Sequence, residues 1–401
     1  MYRQCFWIVA LSAMFLTTTV AAEEPGRPAF SWDTVPLYSH FGDREGMSDD
    51  EVEFIASHYD FIVLEKAHGM AKYGNTEEGT LEDVARIKVA NPDATILYYW
   101  NLLLDYPMYA ASDERDDDPS WFIHYKDGGL DRKGDGPNAL RRYDLSNLDW
   151  RHWWVSHAAD MLDRGSMDGV FLDALPQIAL QPAANIEKWG VQKYAAIERG
   201  IGETMSELRN TVGPDKLLIY NGIRSVPGGW EHGGMKYLDY SDGTIIEHFN
   251  VIASQEPEQI AEDIERMMQA GKAGKVVILK AFPGFLWIDN EAMKMPEAEK
   301  LRLAKERITF PLVAFLIAAE EYSYFNYTWG YRAEHGAHAW YPEYDQKLGS
   351  PKGDARQKGY EYWREFEFAS VYINIETKEA TIDWHSANER AIDFADVIST
   401  E

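Results

Sequence analysis

From Glu23 onward the chain repeats one pattern: a short apolar run, a polar loop, then a stretch whose apolar residues recur at helical spacing. The apolar runs are residues 36–40, 61–65, 95–100, 169–173, 217–221, 243–247, 275–280 and 323–326. Each has the length and composition of a strand buried on both faces, as in a parallel sheet. Between them lie helical patterns. Ser48-Asp49-Asp50-Glu51 predicts a helix start through a capping box, and Thr80-Leu81-Glu82-Asp83 predicts another. Further helices are expected over 150–164, 186–211, 258–270 and 297–319.

Eight strands, seven of them separated by helices, with no Gly-x-Gly-x-x-Gly turn, predict an α/β fold of the (β/α)8 barrel type. An open doubly wound sheet is the structural alternative. The connection from 102 to 147 is long, and long loops in compact domains are usually lids or walls of a site. Within it, 121–129 reads as a hairpin turning at Asp127-Gly128. The helix expected after the last strand is weak. Instead 363–375 and 380–384 form an apparent antiparallel pair, turning near Thr377-Lys378. The expected division is thus a barrel over 23–345 and a small β element over 346–401, packed on the barrel and not an independent domain.

Residues 1–22 stand apart. Arg3 precedes an apolar stretch from 5 to 20, and Val20-Ala21-Ala22 has the small residues of a cleavage site, so a secretory signal peptide is expected. A secreted or periplasmic protein without membrane insertion follows, since no later apolar run is long enough to span a bilayer. The one cysteine, Cys5, lies inside that leader, which excludes disulfides and thiolate chemistry from the rest. Lys plus Arg number 39 against 66 Asp plus Glu, a net charge of −27 that disfavours nucleic acid and anionic membranes as partners. It also disfavours strongly anionic polysaccharides. The acidic run from Asp113 to Asp118 matches no EF-hand-type spacing and reads as a solvated face.

In a (β/α)8 barrel the chemistry sits at the C-terminal ends of the strands. The polar residues that end the apolar runs are His40, Glu65, Asn101, Asp173, Asn221, Glu247, Lys280 and Asn326. Asp173 and Glu247, from the fourth and sixth strands, are the candidate catalytic carboxylates. Glycoside hydrolysis needs such a pair, one to protonate the leaving oxygen and one to attack or to activate water. The expected allocation is Asp173 as nucleophile or base and Glu247 as general acid. His40, Glu65, Asn101, Asn221 and Lys280 are expected to ring the same cleft as substrate-binding residues. Taken singly, Asp173 could instead cap the following helix, and Glu247 could merely pair with Lys280.

Met167-Asp168-Gly169-Val170-Phe171-Leu172-Asp173, preceded by Asn147-Leu148-Asp149-Trp150-Arg151-His152-Trp153-Trp154, resembles the fourth-strand motif of hypothetical glycosyl-hydrolase-like barrels. Tyr362-Trp363-Arg364-Glu365-Phe366-Glu367, followed by Val371-Tyr372-Ile373-Asn374, is similar to their closing β segment. The resemblance is to hypothetical glycosyl hydrolase family 15, and more distantly to polygalactosaminidase-type barrels with a comparable Asp after strand four and Glu after strand six. It spans roughly 35–385 and implies glycosidase chemistry on a carbohydrate substrate. One departure is Phe368-Ala369 where Asn-Gly is usual, a matter of a turn.

Other constellations are weaker. His335 and His338 with Glu334 would need a third ligand to hold a metal, so neither a metal nor another cofactor is expected in the chemistry. His40, His68 and His248 at strand ends suit hydrogen bonds to hydroxyls or carboxylates. Tyr98, Tyr99 and Trp100 are consecutive and cannot all face inward. Trp121, Trp287 and Trp329 follow strands and are candidates for a sugar platform. Besides a glycosidase of neutral or weakly charged saccharides, two other classes fit: a carbohydrate-binding barrel without turnover, and a metal-dependent hydrolase or deacetylase using the loop histidines.

Overall fold

The computed structural model describes residues 26–386 apart from 115–117 and 253. The predicted signal peptide, the last residues of the chain and the middle of the acidic run lie outside the described residues. Eight parallel strands form the central sheet: β1 (Ser39–Phe41), β2 (Phe61–Leu64), β3 (Thr95–Asn101), β4 (Gly169–Asp173), β5 (Leu217–Asn221), β6 (Gly243–Phe249), β7 (Val276–Ala281) and β8 (Ser323–Tyr327). Each pairs with its neighbour in chain order. Closure comes just before β1, where the Tyr38 amide donates to the Phe325 carbonyl at 2.9 Å and the Phe325 amide to the Pro36 carbonyl at 2.8 Å. The (β/α)8 expectation holds, and the open sheet is excluded.

The helices show where pattern reading was sufficient and where it was not. Helix α1 (Asp49–His58) starts at the Ser48 capping box. Helix α2 (Thr76–Ala90) starts earlier than expected, at Asn75, whose side chain accepts from the Glu78 amide at 2.8 Å. Asn75-Thr76-Glu77-Glu78 carries the same cap-plus-acid signature as the Thr80 tetrad, and the earlier one nucleates the helix. Asp83, predicted to lie in a helix's first turn, is instead fully buried and accepts from His68 Nε2 and the Met47 amide, both at 2.7 Å. His68 is thereby spent on structure. Helix α3 is Leu148–Gly165, α4 Val191–Val212 and α5 Pro257–Lys272. The stretch expected as one helix over 186–211 is broken at Gly190, where φ is 91°. Likewise 297–319 divides into α6 (Glu297–Arg307) and α7 (Thr309–Ala318).

Helix α7 is apolar all round because it is covered on two sides. It packs on α5 and on a four-stranded antiparallel sheet: β9 (Arg356–Lys358), β10 (Glu361–Glu365), β11 (Ala369–Asn374) and β12 (Glu379–Trp384). The segment predicted as one strand over 363–375 folds back after Phe366, whose amide donates to the Ala369 carbonyl at 2.7 Å. The turn near Thr377-Lys378 is as expected, with Lys378 at φ 60°. Arg364 explains the closing motif physically. It is 3% exposed, and its Nη1 donates to the carbonyls of Leu316 at 3.2 Å, Ile317 at 3.3 Å and Ala319. A guanidinium thus caps the C-terminal end of α7, where unpaired carbonyls and the helix dipole favour a cation.

In the long β3–α3 connection, the hairpin turns at Gly128, with the Tyr125 amide donating to the Gly129 carbonyl at 2.7 Å. A second small ribbon pairs Arg132–Lys133 with Leu140–Arg141.

Candidate active site

Strand register brings the strand-end polar residues to one level. Asn101 lies opposite Asp173, Glu247 opposite Lys280, and Lys280 opposite Asn326. Of the three consecutive aromatics, Tyr99 points into the barrel, where its hydroxyl donates to Asp173 Oδ2. Tyr98 and Trp100 turn outward against His157.

Asp173 and Glu247 meet across Asn221. Its Nδ2 donates to Asp173 Oδ1 at 2.9 Å and to Glu247 Oε2 at 2.8 Å. Asn101 Nδ2 adds a 3.2 Å bond to Asp173 Oδ2, while its Oδ1 accepts the Leu103 and Leu104 amides and so fixes the amide's orientation. Glu65 and His40 form a buried pair at 2.6 Å, and Lys66 completes it on the other Glu65 oxygen. Lys280 is fully buried and donates to Asn326 Oδ1 at 2.6 Å and Thr328 Oγ1 at 3.1 Å. All seven predicted site residues therefore gather at this end. His40, Asn101, Asn221 and Lys280 are at most 3% exposed, whereas Asp173 is half-buried.

Of four further neighbours, Tyr331, Lys66 and Arg224 went unnoticed in the sequence, and His248 was expected only as a hydrogen-bonding partner of a hydroxyl or carboxylate. Tyr331, in the loop after β8, donates its hydroxyl to Glu247 Oε1 and lies over the Lys280 ammonium at 4.7 Å. Lys66 sits amid the rings of Tyr99, Tyr106 and Tyr331. Arg224, after β5, holds the Glu247 carbonyl at 2.7 Å. His248 should face away from Glu247, because neighbours on a strand alternate. A bulge between Glu247 and Phe249, with His248 at φ 63°, brings both side chains to the same side. Nδ1 of His248 is 3.5 Å from Glu247 Oε2. None of these four itself ends an apolar run; Lys66 and His248 follow residues that do.

Among the three candidate platforms, Trp287 belongs to the cleft wall. It is partly exposed, stacks on His248 at 5.8 Å and meets the Tyr331 ring edge-on at 4.9 Å. Trp121 and Trp329 are buried, against Trp153 and Phe285 respectively. His338 stacks on Phe41 at 4.9 Å, and among the described residues no three His, Cys, Asp or Glu side chains gather as a ligand set. The His335–His338 pair therefore shows no third ligand.

The electrostatics separate the two carboxyls. Burial raises Asp173, and the neighbouring charge of Glu247 raises it further, against the opposing pull of Lys66 and the Tyr99 hydroxyl. Burial would raise Glu247 too, but His248, His40, the Tyr331 hydroxyl and Lys280 outweigh it and hold the group well below the usual range. Burial lowers His248 to about 4, so above that pH its ring is neutral. Lys280 itself is lowered by burial to about 8 and is still mostly a cation at neutral pH. A proton shared by the pair is therefore favoured on Asp173 over Glu247. This runs opposite to the allocation expected from the sequence.

The closed parallel barrel, with its polar residues gathered at the C-terminal ends of the strands, places the protein in the (β/α)8 class. The chain belongs to hypothetical glycosyl hydrolase family 15, whose model matches residues 88–370. No curated protein matches it. Among solved structures it is similar to a noncanonic maltogenic alpha-amylase from Thermotoga neapolitana, at 11% identity and TM-score 0.47 over 86% of each chain. It is also similar to an alpha-galactosidase from Thermus thermophilus, at 14% identity and TM-score 0.45 over 88% of this chain and 68% of that one. A cycloisomaltooligosaccharide glucanotransferase from Paenibacillus sp. matches at 15% identity and TM-score 0.44 over 64% of this chain; the chain spans 40% of that protein.

Proposed function

We propose that the protein is an exported glycoside hydrolase that cleaves O-glycosidic bonds of a poly- or oligosaccharide with Asp173 and Glu247. The observation that carries this reading is the Asn221 amide held between the two carboxyls, at 2.9 and 2.8 Å. It supports a pair that acts on one bond, with neighbours that set the two groups' proton affinities apart. Family membership supports the reaction class, and the leader over residues 1–22 supports export.

We assign the acid to Asp173, whose proton affinity burial and the Glu247 charge raise, and the nucleophilic or basic carboxylate to Glu247. Asn101 and Asn221, whose amides donate to the carboxyls, then serve mainly to orient that pair, while Lys280 and the His40–Glu65 pair set the charge around it. Trp287 offers a face for a sugar ring.

An activity screen on a panel of polysaccharides and aryl glycosides tests the reading. On any substrate cleaved, Asp173→Asn and Glu247→Gln should each lower kcat by roughly three orders of magnitude or more with the fold intact. Only Asp173→Asn should recover on substrates with a good leaving group, which needs no protonation. Near-normal rates for both variants would sink the assignment, and recovery by Glu247→Gln alone would reverse the two roles.

A further inference from the structure

The sequence leaves open whether the sugar's anomeric configuration is kept or inverted; the spacing of the facing carboxyl oxygens bears on it. Asp173 Oδ1 and Glu247 Oε2 share one nitrogen, at 2.9 and 2.8 Å, so these oxygens are no more than about 5.7 Å apart. The fork of a planar amide, with its two hydrogens about 120° apart, puts them nearer about 5 Å. Inverting enzymes keep their carboxyls about 6.5–9.5 Å apart to admit a water beside the sugar, whereas about 5–5.5 Å marks direct attack by one carboxylate. The gap is also braced. Asn101 and Tyr99 hold Asp173, while Tyr331 and the Arg224 clamp on the Glu247 backbone hold the other side.

Resting on the glycosidase reading above, we infer that the protein works with retention through a glycosyl ester on Glu247, and so transfers glycosyl groups to alcohols as well as to water. In the first step the Glu247 carboxylate bonds to the anomeric carbon. The glycosidic bond breaks, and its electron pair goes to the leaving oxygen, which takes the proton from Asp173. In the second, a hydroxyl gives its proton to Asp173 as its oxygen bonds to the anomeric carbon. The ester bond breaks and its electron pair returns to Glu247. Two inversions restore the configuration. The mutual influence of the pair suits this cycle. Esterified Glu247 carries no charge, which removes one of the three influences that raise Asp173, beside burial and Glu65, and lowers its proton affinity once the first step is over.

The test uses 2,4-dinitrophenyl glycosides of several sugars in both anomers, with methanol as competing acceptor and proton NMR of the first product. The expected result is a methyl glycoside and a first-formed sugar of the substrate's own configuration. A 2-deoxy-2-fluoro analogue of the cleaved sugar should add one glycosyl mass to the intact protein, mapped to Glu247 and absent from Glu247→Gln. A first product of the opposite anomer, or an adduct on Asp173, overturns this proposal while leaving the glycosidase reading in place. Failure to cleave any sugar of the panel counts against that reading itself.

Discussion

The phenol of Tyr331 is the side chain whose removal says most about the charge on Glu247. Its hydroxyl donates to Oε1, its ring lies over Lys280, and both favour the ionised carboxylate. Tyr331→Phe removes one donor from a buried carboxylate, a loss of about 1–3 kcal/mol. It should lower kcat/KM roughly ten- to a hundredfold. The sign of the pH effect follows. Activity needs Glu247 ionised and Asp173 protonated, so the acid limb of the rate profile reports Glu247 and the alkaline limb Asp173. Wild type should show its acid limb below the ordinary carboxylate range and its alkaline limb above it. Tyr331→Phe and Lys280→Met should each move the acid limb upward, because each removes a group that holds Glu247 low. A fall in rate with both limbs unmoved would make these residues structural supports only. Trp287 reads out differently. Trp287→Ala should raise KM roughly tenfold or more with a smaller effect on kcat, and Trp287→Tyr should restore much of the loss, since a stacked ring contributes to binding. An unchanged KM would remove it from the binding face.

At the scale of elements, the sites that were legible are those where one residue at a strand end suffices. Asp173, Asn221 and Glu247 follow apolar runs, and a parallel barrel must present such ends at one mouth. What was not legible depends on a departure from the regular period. No apolar–polar alternation announces the bulge that turns His248 beside Glu247. Nor does local sequence place Tyr331, in the loop that follows β8, against a carboxylate of β6. Helix breaks at Gly190 and after Arg307 leave the apolar period almost intact, which is why each pair of helices read as one. The proton allocation was out of reach for a related reason, because it depends on which cations lie near which carboxyl.

The whole molecule is held by more than its barrel, and the closing sheet is where that is testable. Residues 311–318 of α7 are all buried, lying between the barrel and β10–β12. Without the sheet, that apolar helix would face water over a contiguous patch, a condition that favours aggregation. We therefore propose that the described residues 346–386 are an integral layer of the fold, although they follow the last barrel strand and none of them touches the carboxylate pair. A chain ended after Gly353 should lose most of its soluble, monodisperse fraction in size-exclusion chromatography. A point change makes the same argument without deleting chain. Arg364→Met keeps the apolar stem but leaves the carbonyls of Leu316, Ile317 and Ala319 buried without their donor. Losing a buried charged donor to several acceptors should destabilise the protein by about 2–4 kcal/mol in urea unfolding. The site lies at the barrel mouth, so the variant that remains folded should keep the wild-type kcat. Stability within about 0.5 kcal/mol of wild type would show that the guanidinium is incidental to the packing of α7. A fall in kcat without a fall in stability would instead tie the closing sheet to the chemistry.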